Sequence, residues 1–386
     1  MDLRRSDYDG LKNLAEIWKK TPGAELEAAL IGLDITSWQD IIQYLRSLGM
    51  SEAPQIVKLN ISLSNDIRIT LEGAGVIQAY CKDNRLADKP FVAMLKENIA
   101  GASPVEIPFY GARAKLKRET PLAPDDLRVK EALARWEQLN KHFRNIQRFE
   151  FVAPSGLGIR FDISMVREGA YRRSRSFQEA NVTGQPARYE AEVELTAPRD
   201  SLTSEAATHL LVRGLSWLIQ GRQRSYVLVS KPVVDGVLED IGSIFSSVSN
   251  RNNSKGRGRV QKMRFPGPQP VTLERVNMDV ITEPGTPNIR TLPGGYNVTD
   301  KADGLRCLLY ISRDGKVYLI DGGMRVYATG RSTDKELAGT VLDGEWIRRD
   351  RENSIISHYY AFDILAHKGN VAVSQLPFTN PASVLA

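Results

Sequence analysis

Three glutamates spaced two apart, Glu190, Glu192 and Glu194, occur in the string RYEAEVELT, and two more, Glu25 and Glu27, in AELEAALI. In an extended strand, residues two apart share a face, so each string puts its carboxylates on one side. Two further strings do the same with other charges. Arg113, Lys115 and Lys117 line one face of ARAKLKRET, and Arg160 with Asp162 one face of GIRFDISMVRE. Clustered carboxylates repel unless a divalent cation sits among them, and neighbouring cations then suit a polyphosphate. The chemistry this implies is metal-assisted hydrolysis of a phosphoanhydride. A second pattern lies far downstream. Lys301-Ala-Asp303-Gly304-Leu-Arg306 follows a β-branched stretch and offers a lysine as nucleophile.

These residues must be held by elements. Segments 24–31, 66–73, 112–120, 145–153, 158–168 and 188–196 alternate as strands, and Ile41 to Leu48, Asp125 to Phe143 and Ser201 to Ile219 have helical spacing, the last with Ser201 and Ser204 as caps. Strands outnumber helices and parallel βαβ spacing is absent, which points to an antiparallel sheet or barrel. Solvent-exposed faces joined by salt bridges would explain any one charged strand; a closed barrel with a charged interior explains all four together. The polar, basic stretch Ser246 to Lys262 reads as a tether. The expected domains are 1–247 and 263–386, with 248–262 as linker.

The chain has 386 residues, 42% hydrophobic and 25% charged, with a net charge of +6. That is the composition of a globular protein able to bury two cores, and the charge allows an anionic partner. No apolar run is long enough to span a membrane, and MDLRRSDYDG has no apolar core of a signal peptide. Cys81 and Cys307 form no metal-type spacing, and His142, His209, His358 and His367 are scattered, so any metal is expected on carboxylate oxygens. A reducing, cytoplasmic compartment is expected.

The two glutamate strings resemble the paired glutamate motifs of the metal-dependent RNA 5′-triphosphatases. That resemblance implies an α+β chain beginning with an eight-stranded antiparallel triphosphate tunnel flanked by helices. It implies that Glu25, Glu27, Glu190, Glu192 and Glu194 hold Mg²⁺ or Mn²⁺, with Glu192 and Glu194 catalytic. Arg113, Lys115, Lys117, Arg160 and Arg167 become candidate phosphate clamps, and Asp162 a tunnel carboxylate. Ala29 stands where the family often has a basic residue; Arg68 and Arg148 are candidate substitutes. Downstream, KADGLR, Leu342-Asp343-Gly344-Glu345 and Tyr360-Ala-Phe362-Asp363-Ile-Leu365 resemble, in order, motifs I, III and IIIa of the covalent nucleotidyltransferases, whose domain is an ATP-grasp-like antiparallel α+β fold. Lys301 is then the nucleophile. The resemblance implies that Asp303, Gly304, Arg306 and Glu345 face the nucleotide and that Phe362 or Tyr360 holds the purine. A triphosphatase fused ahead of a guanylyltransferase is similar to the capping enzymes of large nucleocytoplasmic DNA viruses. That family implies 5′-triphosphate RNA and GTP as substrates, a methyltransferase domain or subunit further on, and host cytoplasm, viral factory or virion as location. Motifs IV to VI and an OB-fold have no counterpart in the sequence, so the second domain is expected to be partial and its guanylyltransferase activity weak. An ATP-using RNA ligase-like enzyme and a non-catalytic RNA-binding scaffold are the alternative readings.

Overall fold

The computed structural model describes residues 1–171, 173–249, 264–270, 272, 274–275, 302–352 and 354–376. The chain divides into two compact units, Met1–Lys231 and Pro232–Ala386.

The first unit is built on ten strands: β1 (Ala24–Leu30), β2 (Ser51–Glu52), β3 (Ile56–Leu63), β4 (Ile67–Glu72), β5 (Val92–Asn98), β6 (Val105–Ile107), β7 (Ala112–Leu122), β8 (Lys141–Val152), β9 (Ile159–Glu168) and β10 (Arg188–Leu195). Pairing runs β1-β10-β9-β8-β3-β4-β5-β7 and returns to β1 through seven residue pairs, Ala24↔Arg118 to Leu30↔Ala112. Every pairing is antiparallel, so eight strands close a barrel, while β2 and β6 extend its rim. Closure removes the sheet edges that would otherwise expose unpaired backbone.

Alternation decides what faces out. On β1, Leu26, Ala28 and Leu30 are buried outward beneath helices α1 (Arg5–Lys20), α2 (Ile35–Ser47) and α6 (Ser204–Gln223), together with Phe161, Ala191 and Val193. Gly214 of α6 lets this helix approach β10, because a Cβ there would meet Val193 Cγ2 at 2.5 Å. The opposite wall packs Leu59, Ile61, Ile69, Leu71 and Phe143 against α3 (Ala74–Asp83), α4 (Leu127–Ala134) and the short α5 (Phe177–Ala180). With apolar side chains spent on the outer layer, the charged partners on each strand fill the lumen.

Two expected elements differ. The helix expected over Asp125 to Phe143 ends at Ala134, and β8 begins at Lys141. Its residues pair with β3 on one side and β9 on the other, and two hydrogen-bonded ladders outweigh local helical spacing. At the start of α6 the cap is Thr203, whose hydroxyl accepts from the Ala206 amide at 3.0 Å, rather than Ser201 or Ser204.

Among the described residues the second unit forms a five-stranded antiparallel sheet of order β13-β12-β11-β14-β15, made of β11 (Leu305–Ile311), β12 (Lys316–Asp321), β13 (Val326–Ser332), β14 (Val341–Arg349) and β15 (Ile355–Ala366). Helix α7 (Lys231–Ser249) packs Val237 and Ile241 on Leu308, Tyr310 and Ile320. Tyr310 also donates to Asp240 at 2.9 Å. This helix supplies the sheet's cover, so the unit boundary falls at Lys231 rather than at the expected residue 247, and Ser246 to Ser249 are helical rather than tether. The rest of the expected linker, 250–262, lies outside the described residues, as does Lys301. Among the described residues no helix is long and apolar enough to cross a membrane.

Candidate active sites

The barrel register brings the charged strings together. Glu27 pairs with Glu194 of β10 on one side and Lys115 of β7 on the other; Glu192 pairs with Asp162, and Glu194 with Arg160, of β9. Glu25, Glu27, Glu190, Glu192, Glu194, Asp162, Lys115, Lys117 and Arg160 therefore share the lumen-facing side of four adjacent strands. Lys115 Nζ lies 2.6 Å from Glu27 and 3.9 Å from Glu192. Arg160 lies 2.6 Å from Glu194 and 3.0 Å from Asp162. Arg144 bridges Glu190 at 2.6 Å and Glu168 at 3.0 Å.

Arg148, on β8, donates to Asp162 and to Ser164 (3.1 Å) and reaches Glu192 at 4.0 Å. It places a guanidinium in the lumen beside the wall where Ala29 provides none. Arg68 instead pairs with Glu119, which also takes Lys96. Glu119, Lys96 and Arg144 are lumen residues that sequence reading missed. Glu119 extends the Arg113, Lys115, Lys117 alternation by one step, which was the available signal.

Two candidate clamps are placed differently. Arg167 stands an odd number of residues from Arg160 and Asp162, hence on the outer face of β9, where it is exposed and donates to the Thr183 carbonyl at 3.2 Å. It does not line the tunnel. Arg113 has lumen parity but pairs, half-exposed, with Glu106 of the rim strand β6 at 2.5 Å. Arg167→Ala is accordingly expected to leave hydrolysis of a bound triphosphate within about twofold, whereas Arg148→Ala should slow it about 10²-fold. Steady-state kinetics of the two variants side by side checks this.

Burial, then repulsion from Glu27, pushes the Glu192 carboxyl up to about 7, although Lys115 and Arg148 oppose the shift. Burial likewise raises Glu194 to about 7, with Glu25 and Asp162 adding to it and Arg160 opposing. Glu25 is raised by burial and by Glu119. Lys115 is raised by its carboxylates, Glu27 foremost, against the effect of burial. Burial leads each of these carboxylate shifts and repulsion among the carboxylates adds to it, and their oxygens are the ligand type of a hard divalent ion. That donor chemistry fits Mg²⁺ or Mn²⁺. Among the described residues no three acidic, histidine or cysteine side chains converge on one point, the carboxylates being drawn into ion pairs.

In the second unit, Arg306 on β11 donates through Nε (3.1 Å) and Nη2 (2.6 Å) to both oxygens of Asp343 on β14. Asp343 is fully buried, in mid-strand. The guanidinium also stacks over Phe265, 5.3 Å from the ring centroid. Glu345, paired with Arg306 across the strands, accepts from the Gly304 amide at 3.0 Å. A Cβ on Gly304 would sit 2.5 Å from the Trp346 carbonyl oxygen, so only glycine brings the start of β11 this close to β14. Asp303 is exposed. On β15 the register steps from Gly344↔Ala361 to Asp343↔Asp363, which leaves Phe362 as the extra residue of a bulge, 40% exposed. Gly304, Arg306 and Glu345 thus form one cluster; Asp343, which was not among the expected nucleotide contacts, is its buried anchor. Asp343→Ala would strand the Arg306 guanidinium, which keeps 27% of its side chain in solvent, and should destabilise the second unit by about 1–3 kcal/mol. Calorimetry resolving two melting transitions should show only the second unit's transition shifting.

Comparison with known proteins bears on both units. Residues 246–386 match the family model of the mRNA capping enzyme catalytic domain. An mRNA-capping enzyme of African swine fever virus (strain Badajoz 1971 Vero-adapted) is 35% identical over 83 residues, 22% of this chain and 8% of that protein. The mRNA-capping enzyme subunit alpha of Schizosaccharomyces pombe is 30% identical over 128 residues, 29% of each. The chain thus spans a small part of the relatives it matches. A solved structure of the RNA triphosphatase domain of a mimivirus mRNA capping enzyme aligns with 57% of this chain and all of its own, at 14% identity and a TM-score of 0.39. The chain is similar, through residues 246–386, to mRNA capping enzymes, and ahead of that match lies a closed eight-stranded antiparallel barrel.

Proposed function

We propose that this chain serves two successive steps of mRNA 5′ capping: the barrel removes the γ-phosphate of 5′-triphosphate RNA, and the second unit supplies the nucleophile for transfer of GMP from GTP to the resulting diphosphate end, an activity expected to be weak in this chain. The observation that carries the first step is the lumen of Glu25, Glu27, Glu192 and Glu194 interleaved with Lys115, Arg148 and Arg160. Water attacks the γ-phosphorus, the bond to the β–γ bridging oxygen breaks, and inorganic phosphate leaves. The charge to be offset lies on the phosphate oxygens, so positioning and electrostatic stabilisation dominate. Lys115, Arg148 and Arg160 are the cations for that task, and their carboxylate partners keep them aimed inward. A divalent ion held by Glu25, Glu27, Glu192 and Glu194 would supply Lewis-acid polarisation of the γ-phosphate.

In the second unit, Lys301 is the proposed nucleophile. Its uncharged Nζ attacks the α-phosphorus of GTP, pyrophosphate leaves, and the phosphoramidate passes GMP to the β-phosphate oxygen of the RNA end as the N–P bond breaks. Arg306, Glu345 and Phe362 are the proposed contacts to sugar and base. A methyltransferase acting next on the cap, on this or another polypeptide, is the proposed partner. The two free cysteines, Cys81 and Cys307, are compatible with a reducing cytoplasm.

RNA labelled at its γ-phosphate should release label in Mg²⁺ or Mn²⁺ and keep it in chelator, while label at the α-phosphate stays on the RNA. Retention of the γ-label by folded protein in both metals would sink the proposal.

A further inference from the structure

The segment that joins β9 to β10 leaves the barrel at the end where β8 begins, and it is basic where the β8–β9 turn is uncharged. Tyr171 is 65% exposed, and Arg173 and Arg175 are exposed. Among the described residues neither arginine forms an ion pair. At the other end, the β8–β9 turn, Ala153 to Gly158, holds no charged residue.

The basic segment is held in place. Ser174, fully buried, exchanges both backbone hydrogen bonds with Lys141 at the start of β8, at 2.8 and 3.0 Å. The Lys141 side chain, also fully buried, donates to the Arg175 carbonyl at 2.7 Å and the Leu139 carbonyl at 3.1 Å and lies 4.8 Å from the Trp136 ring centroid. Asn84 donates to the same Arg175 carbonyl at 3.2 Å, and Glu179 accepts from the Arg175 amide at 2.6 Å. With the residue between them anchored, Arg173 and Arg175 are turned outward. Inward from this rim runs a chain of ion pairs: Arg188 to Glu168 at 2.7 Å, Glu168 to Arg144 at 3.0 Å, and Arg144 to Glu190 at 2.6 Å.

A tunnel that takes a triphosphate leaves the nucleotides attached to it outside. Single-stranded RNA is gripped, without regard to sequence, by cations along its backbone and an aromatic face for a base. We propose that Tyr171, Arg173 and Arg175 form a docking platform for the first nucleotides of single-stranded RNA, which marks this rim as the entrance. Pre-fixing the backbone through Lys141 and Ser174 lowers the ordering cost of binding. The inference rests on the barrel being the triphosphate site.

The test uses the full chain, fluorescent 5′-hydroxyl single-stranded RNA for binding, and two hydrolysis substrates, triphosphorylated RNA and inorganic triphosphate. An Arg173→Ser/Arg175→Ser variant should bind 5′-hydroxyl RNA about tenfold more weakly. The slope of log affinity against log salt should fall by about 1.4, two phosphate contacts at about 0.7 each. Tyr171→Ala should also weaken binding about tenfold, with little change of slope. KM for triphosphorylated RNA should rise in step, with kcat and inorganic triphosphate hydrolysis unchanged. Unaltered RNA binding in these variants, or an equal loss on inorganic triphosphate, overturns the platform. If the parent hydrolyses neither substrate, the phosphatase reading fails and the entrance role with it, while the 5′-hydroxyl RNA arm still decides whether Tyr171, Arg173 and Arg175 dock RNA.

Discussion

A Glu192→Gln variant is expected to lose about 10²–10³-fold in γ-phosphate release at pH 7.5 and yet to melt higher than the parent in the absence of metal. Glu192 sits buried beside Glu27 and Glu190, and its carboxyl is raised from 4.5 to about 7. The sign of the stability effect follows from linkage. A carboxyl raised in the fold contributes stability that is fully present below its unfolded value and lost as pH rises through its folded value. Glu192 and Glu194 therefore make the metal-free barrel progressively less stable between about pH 4.5 and 7. An amide has no charge to desolvate or repel, so Gln removes that penalty, worth on the order of 1 kcal/mol after allowance for Lys115 and Arg148. Metal should act the same way on the parent. Mn²⁺ is expected to raise its melting temperature by several degrees at pH 7.5 and barely at pH 5, where these carboxyls hold protons. Thermal melts at both pH values, with and without Mn²⁺, read this out. A parent whose melting temperature ignores both pH and metal would show that the acidic wall is a neutralised ion-pair lattice.

The second large effect concerns Lys301. Lys301→Arg should abolish the covalent adduct with labelled GTP, a complete loss, while leaving γ-phosphate release unchanged. Attack on phosphorus needs a nitrogen lone pair. A lysine provides one when its pKa is lowered by neighbouring charge or burial, and a guanidinium does not deprotonate in proteins. The substitution keeps the positive charge and removes only the nucleophile, so it separates phosphate binding from bond formation. Arg306 already exemplifies the other use of a guanidinium, as a fixed two-pronged donor to Asp343. Acid-labile, alkali-stable label on the parent, absent from the variant, is the expected signature of the phosphoramidate; equal labelling of both would move the nucleophile elsewhere.

The charged strings were legible because strand alternation is local: Glu190, Glu192 and Glu194 declare a common face from their spacing alone. The same alternation, applied strictly, separates Arg167 from Arg160, and the structure places it outside. What spacing cannot supply is which strands become neighbours. Arg148 meets Glu192, and Arg68 meets Lys96 through Glu119, only because the barrel closes across strands distant in sequence. Helix α1 carries Leu11, Leu14, Ala15 and Trp18 at helical spacing and is buried by them, but its polar, charged start obscured the pattern. Helix α7 is absent from the sequence reading, which takes its Ser-rich last turn as tether; its apolar Val237 and Ile241 find their purpose only under the second sheet. Asp343 could be read as a turn residue from Asp-Gly alone, and only pairing with β11 and β15 shows it buried in mid-strand.

The most direct test of the metal-loaded tunnel is the rate of γ-phosphate release from triphosphorylated RNA as Mn²⁺ is titrated at pH 7.5, for the parent and Glu192→Gln together. A saturable rise with metal in the parent, and a flat, near-zero line in the variant, is the expected result. Release by the parent that is independent of metal, or equal in the two proteins, would contradict it.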